Sequence, residues 1–152
     1  MKIYTLFALA ILSSYTYAQT PSHYDLGLQK EGILDKNFKY TNSPKVAQLY
    51  QQSTAMINQS TPVELGDGVQ MIMAMKIPSH SLYTYKLPIL KSQFNAQAKL
   101  KMDQALPAIQ SVYCSQVQKH IHYRVNKMTE KYIYLDKNGY FWVEYVLNSS
   151  QC

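Results

Sequence analysis

Residues 128–147, "MTEKYIYLDKNGYFWVEYVL", set two runs of β-branched and aromatic residues on either side of Asp136-Lys137-Asn138-Gly139. Such runs read as strands, and an Asn-Gly pair between them supplies the positive backbone angles of a tight hairpin. A two-stranded hairpin is marginal alone, so the rest of the chain must supply more strands and a covering layer.

Working upstream, "VQMIMAMKI" (69–77) alternates, with Val69, Met71, Met73, Met75 and Ile77 on one side and Gln70, Ile72, Ala74 and Lys76 on the other. The methionine stripe is expected to be the core face of a sheet, the alternative being a pliable binding groove. After the loop "PSHS", "LYTYKL" ends at Pro88, which has no N–H for a ladder. With the short apolar piece "PVEL" and the turn Gly66-Asp67-Gly68, these strands predict a three-stranded meander.

Two helical segments frame the meander. Ser43-Pro44 offers an N-cap followed by proline at the first helical position. Val46, Leu49, Tyr50, Ser53, Met56 and Ile57 then recur at three-and-four spacing, which predicts a helix over 44–58 leaving at Asn58 and Pro62. Residues 95–114 are rich in helix formers, with Leu106, Ile109, Val112 and Tyr113 at helical spacing. Pro107 predicts a break there, with Asp103 or Gln104 opening the second piece. A further short helix is expected over "SQVQKHIHYRV", ending at Asn126. The order α-βββ-α-ββ predicts a single α+β domain over 44–152: an antiparallel sheet of about five strands with helices packed on one face.

Residues 19–43 show no sustained period and read as an irregular arm. Before them, Lys2 precedes an apolar run from Ile3 to Leu12, and Thr16 and Ala18 occupy the small-residue positions of a signal-peptidase site. Residues 1–18 therefore read as a signal peptide cleaved between Ala18 and Gln19. The run is too short for a membrane anchor, which needs about 20 apolar residues. No cysteine follows the cleavage site to carry a lipid. The mature chain is expected in the periplasm or secreted, without a stable membrane anchor.

The formal net charge is +6, but the lysines are spread from Lys30 to Lys137 rather than gathered in a stripe. That pattern reads as a solvated surface, not a nucleic-acid site. Two cysteines in an oxidising compartment predict one disulfide, Cys114 to Cys152, fastening the last strand to something upstream.

Candidate chemistry is sparse. "DKNG" echoes the middle of a calcium loop, yet the positions for its first ligand and its bidentate glutamate hold Tyr134 and Tyr145, so a hairpin turn is expected. His120 and His122, two apart in a helical stretch, point away from each other, which argues against a metal site. No serine lies in a Gly-x-Ser-x-Gly elbow, Asp136 and Glu144 are not a catalytic pair on spacing alone, and no cofactor motif is present. Binding of a protein partner, from the bacterial envelope or a host, is expected in place of catalysis. Among fourteen tyrosines, Tyr83, Tyr85, Tyr132, Tyr134, Tyr140 and Tyr145 cluster in the strand segments, where solvent-facing rings would form an amphipathic contact surface. The alternative is ordinary cross-strand pairing.

Residues 53–152 carry a pattern: a helix ending near Ala55, Asn58 and Pro62, a strand opening at Gly66-Asp67-Gly68-Val69, a helix delivering Tyr113-Cys114-Ser115, and a strand, Asn-Gly turn and strand leading to Cys152. It resembles the small exported proteins of the quorum-sensing-regulated virulence factor family, and is similar to the compact α/β pilotins of type II secretion. The resemblance implies about five strands packed by helices, a disulfide from helix to last strand and, in the pilotin group, a groove for an amphipathic helix of the secretin. The pilotin lipidation cysteine is absent, so lipid-borne delivery of a secretin is not expected. A soluble pilotin-like chaperone is the second functional expectation, an enzyme or enzyme inhibitor the third.

Overall fold

The structure is a computed structural model and describes residues 20–152. The expected signal peptide and its Ala18–Gln19 cleavage site lie outside the described residues. The elements run α1 (His23–Lys30), α2 (Pro44–Asn58), β1 (Val63–Gly66), β2 (Val69–Ile77), β3 (His80–Lys86), α3 (Ala96–Lys119), α4 (Ile121–Val125), β4 (Thr129–Leu135) and β5 (Phe141–Asn148). Short 3₁₀ turns lie at Lys91–Gln93 and Ser149–Gln151. Among the described residues no helix is long and apolar enough to cross a membrane.

The five strands form one sheet in the order β1-β2-β3-β4-β5. The expected antiparallel sheet is corrected at its centre: β3 and β4 are parallel, with Tyr83 opposite Tyr132 and Tyr85 opposite Tyr134, while the other three pairs are antiparallel. The cause lies in the connection. Between β3 and β4 the chain runs through the 24-residue α3, long enough to carry it back to the starting end of β3.

The turns follow their chemistry. Asp67 and Gly68 both take positive φ, 50° and 75°, as the tight hairpin between β1 and β2 requires. In the β4–β5 hairpin only Gly139 does, at 86°. Asp136 organises that turn: its buried carboxylate accepts from the N–H groups of Asn138 (2.8 Å), Tyr140 (2.9 Å) and, from outside the turn, Lys91 (2.9 Å).

Alternation along β2 is interrupted. The register shifts between Met71, opposite Tyr85, and Met73, opposite Thr84. One extra residue in a strand sends the side chains beyond it to the other face. Met73 and Met75 therefore lie exposed, 44% and 39%, while Ala74 is buried. Of the expected methionine stripe, Met71 shares the covered face with Tyr85, whereas Met73 and Met75 do not.

Residues 19–43, expected to be an irregular arm, are corrected to a structured one. Ser22 caps α1, its Oγ accepting from the Asp25 N–H at 3.0 Å while the Asp25 carboxylate accepts from the Ser22 N–H at 3.0 Å. Leu34 and Tyr40 then pair as an isolated bridge. Leu28, Ile33 and Leu34 pack with Val46, Tyr50 and Met128 in one core cluster. The arm closes that core over α2. The capping box at Ser22 and Asp25 was the available signal for it.

The break expected at Pro107 is absent, since α3 runs unbroken through it. Pro107 is exposed, so the carbonyl it leaves without an N–H partner can turn to water. The helical path instead breaks at His120, whose backbone is extended (φ −129°, ψ 111°).

Helix α2 lies along the edge of β2 that β1 leaves uncovered. The Asn58 side chain pairs with Ala74 as a strand would, donating to its C=O and accepting from its N–H, both at 2.8 Å. Thr54 Oγ1 accepts from the Lys76 N–H at 2.8 Å. Asn58, expected as a helix-exit residue, thus closes a sheet edge. Asn58→Ala would leave the buried Ala74 groups unpaired, and a loss of about 1–3 kcal/mol in denaturant unfolding is expected.

Candidate functional site

Across the sheet, one face is covered by helices and the other is open. On the covered face α2 borders β2, and α3 lies over β4 and β5: Leu106, Ile109, Tyr113 and Val117 pack with Leu147 and Tyr132, and the Tyr145 hydroxyl donates to Asp103 at 2.8 Å. The central strand β3 lies between these helical walls, with Tyr83 and Tyr85 half-buried.

Parallel pairing assembles the rings there into a continuous series. Tyr83 stacks on Tyr132 (5.7 Å between centroids), Tyr132 on Tyr85 (6.1 Å), Tyr85 on Tyr134 (5.2 Å), and Tyr134 meets Tyr145 edge-on (6.0 Å). Five of the six tyrosines expected to form a contact surface are thus brought together. They stand on the helix-covered face of the sheet and not on its open one, because the bulge in β2 and the inward turn of Ala74 fix which side is the core. Tyr140 stands apart, exposed in the hairpin turn. Burial pushes the Tyr85 and Tyr145 phenols up to about 12, with Tyr134 and the Glu130 charge adding at Tyr85, and Asp103 adding at Tyr145. The rings are neutral across the ordinary pH range.

At the Tyr83 end of this series a cavity of about 230 Å³ opens between α2, α1, α4 and the sheet. Its walls include Tyr24, Tyr40, Tyr50, Tyr123, His122 and Met56. The Tyr40 and Tyr50 hydroxyls bond each other, and the Tyr113 hydroxyl donates to the Met128 carbonyl at 2.7 Å. Tyr123 is pushed up to about 12 by burial and the nearby Glu130 charge.

Behind His122 sits a carboxylate that sequence reasoning missed. Asp25 is fully buried and accepts five hydrogen bonds: from the Ser22 N–H (3.0 Å) and hydroxyl (2.6 Å), the Ile121 N–H (3.1 Å), the His122 N–H (3.3 Å) and His122 Nδ1 (2.5 Å). Burial works against its ionisation, but the bonds from Ser22, His122 and Ile121 outweigh it and hold the carboxyl at about 2. Burial lowers the His122 pKa, against the pull of Asp25, so the ring is neutral near pH 7 with its proton on Nδ1. Asp25 also explains the break at His120, since its carboxylate caps the first two N–H groups of α4 from another helix.

This cluster is a fastening and not a catalytic array. Ser22 Oγ lies 3.0 Å from His120 Nδ1, but its proton is directed to Asp25 and its lone pair caps α1. The His120 and His122 ring centroids are 5.8 Å apart. They do not diverge as two helical residues would, because His120 is not helical, but His122 Nδ1 is spent on Asp25. Among the described residues no three His, Cys, Asp or Glu side chains converge as a metal site. The expected disulfide joins Cys114 on α3 to Cys152 beyond β5, with Cα atoms 5.1 Å apart.

Fold and site together define a small α+β domain, with a tyrosine-walled cavity between its helical layer and its sheet. No family model and no curated protein matches the chain. Two solved structures are similar to the chain at low identity. The pilotin of the Vibrio vulnificus type 2 secretion system, EpsS, has a TM-score of 0.46 at 12% identity, over 73% of this chain and 97% of that one. A candidate secreted protein of Pseudomonas aeruginosa has a TM-score of 0.47 at 11% identity, over 74% and 99%. At these identities the likeness says nothing about site residues.

Proposed function

We propose that the protein acts by binding a partner protein, in the periplasm or outside the cell, and not by turnover. One observation carries this reading: four stacked, half-buried tyrosines, Tyr83, Tyr132, Tyr85 and Tyr134, stand in one continuous series on the helix-flanked face of the sheet. Rigid amphipathic rings give contact area at small entropic cost, the composition of an interface centre. Localisation rests on the signal-peptide pattern of residues 1–18.

The test is capture of partners from envelope and supernatant by the purified protein. Tyr85→Ala is expected to lower recovery of the bound partner at least tenfold, the cost of about 2 kcal/mol at an interface centre. Tyr140→Ala, outside the stacked series, is expected to change nothing. Equal recovery with both variants, or no captured partner, would refute the reading.

A second reading, a soluble pilotin-like chaperone holding an amphipathic helix of an outer-membrane secretion component, is favoured by Met56. This α2 side chain lines the cavity and is 67% exposed, an apolar anchor for an incoming helix. Secretin left in the inner membrane after deletion of the gene would promote this reading; normal assembly would remove it.

A further inference from the structure

Strand register places three cavity residues in one row. Lys76 is opposite Ser81 across β2 and β3, Ser81 is opposite Glu130 across β3 and β4, and all three line the cavity. Strands lie about 4.8 Å apart, so the backbones of Lys76 and Glu130 stand roughly 10 Å apart, within reach of both side chains for a ligand between them. Ser81 is buried and its hydroxyl serves Tyr83. Glu130 accepts from the Tyr132 hydroxyl at 2.6 Å. Among the described residues neither Lys76 nor Glu130 forms an ion pair.

The cavity thus presents one cation and one anion on its floor, beneath walls that are largely apolar and aromatic, with Leu28, Leu49, Met56, Met128 and the rings of Tyr24 and Tyr123, and with Gln52 and Ser53 as polar groups on α2. A purely anionic ligand would be set against Glu130, and a purely cationic one against Lys76. An uncharged ligand would leave both charges facing an apolar body, at a desolvation cost with no return. A ligand bearing both charges close together meets each of these groups with its opposite. The volume lies below that of drug-sized pockets, about 300–1,000 Å³, and so selects a small molecule.

We infer that this cavity binds a small zwitterion, a free amino acid or dipeptide with an apolar side chain. Its carboxylate sits on Lys76, its ammonium on Glu130 beside the tyrosine rings, where cation–π attraction adds to the ion pair. Its side chain packs against Leu28, Leu49, Met56 and Met128. His122 also lines the cavity, its ring fixed by the bond from Nδ1 to Asp25.

Calorimetric titration of the purified, disulfide-bonded protein tests the assignment. The probes are L-methionine, L-phenylalanine and the dipeptide methionyl-phenylalanine, each beside its N-acetyl form, which lacks the cation, and its methyl ester, which lacks the anion. At least one zwitterion is expected to bind, with both of its capped forms at least about tenfold weaker, the loss of one charge-assisted bond. In Lys76→Met the zwitterion and its ester should bind alike, and in Glu130→Gln the zwitterion and its N-acetyl form should. Discrimination by the unmodified protein decides the question even where a variant folds poorly. Failure of all three zwitterions to bind at millimolar concentration, or capped forms binding as well as the parent, would overturn it. Purified protein and small molecules suffice for this test, so its failure leaves the protein-partner reading untouched.

Discussion

Asp25→Ala is expected to lower stability by about 3–5 kcal/mol, because buried donors that lose their acceptor cost about 1–3 kcal/mol each, which corresponds to a melting point lower by roughly 10–20 °C. The substitution strands five donors at once: two of Ser22, the N–H groups of Ile121 and His122, and His122 Nδ1. It also removes the cap that starts α4. The acid response follows from the same pair. Asp25 is held at about 2 against an ordinary 3.8, so its contribution is complete above pH 4 and is lost as pH falls towards 2. His122 lies below its ordinary 6.5, so the fold resists its protonation and weakens as pH falls from 6.5. Both act in one direction but in successive windows: His122 should lower the melting point on acidification from pH 7 to pH 4, and Asp25 should lower it further below pH 4. His122→Gln should flatten the first of these falls. A melting point for Asp25→Ala within a few degrees of the unmodified protein would contradict the assignment of this cluster as a fastening.

Cys152→Ser is expected to cost about 4 kcal/mol by the loop-closure entropy of a link spanning 38 residues, lowering the melting point by roughly 10–15 °C. The bond ties α3 to the segment after β5, so without it the edge strand is held by its pairing with β4 and the packing of Leu147 against Tyr113 and Val117. Cys114→Ser should match it, and the double variant should be no worse than either, because all three remove the same bond. Unchanged melting in the presence of dithiothreitol would refute this.

Elements with several turns or a full strand period were legible in the sequence. α2 begins at the Ser43-Pro44 signal and ends at Asn58 as expected, because fifteen residues give the apolar spacing room to repeat. The β4–β5 hairpin carries its own turn chemistry at Asp136 and Gly139. α1 was missed because eight residues hold barely two turns, and a capping box is a weak mark without a repeating face. The bulge after Met71 was missed because neither glycine nor proline marks it; counting straight alternation put Met73 and Met75 on the wrong side. Parallel pairing of β3 and β4 is not written in either strand, since the same residues could pair in both senses and only the packing of α3 decides. The tyrosines could be placed on one face by period, but not assigned to the covered face. The cavity could not be read at all: its walls come from segments as distant as Tyr24 and Glu130.

The capped margin of β2 gives the sheet a direction of growth. Asn58 and Thr54 occupy the backbone groups an incoming strand would need, and beyond them, among the described residues, stands only the four-residue, bulged β1. At the opposite margin β5 ends the sheet with eight residues in extended form. A particle with one receptive margin can join a second copy across it and then has nothing left to offer a third. Backbone-mediated self-association would therefore stop at a closed pair instead of lengthening into a fibre.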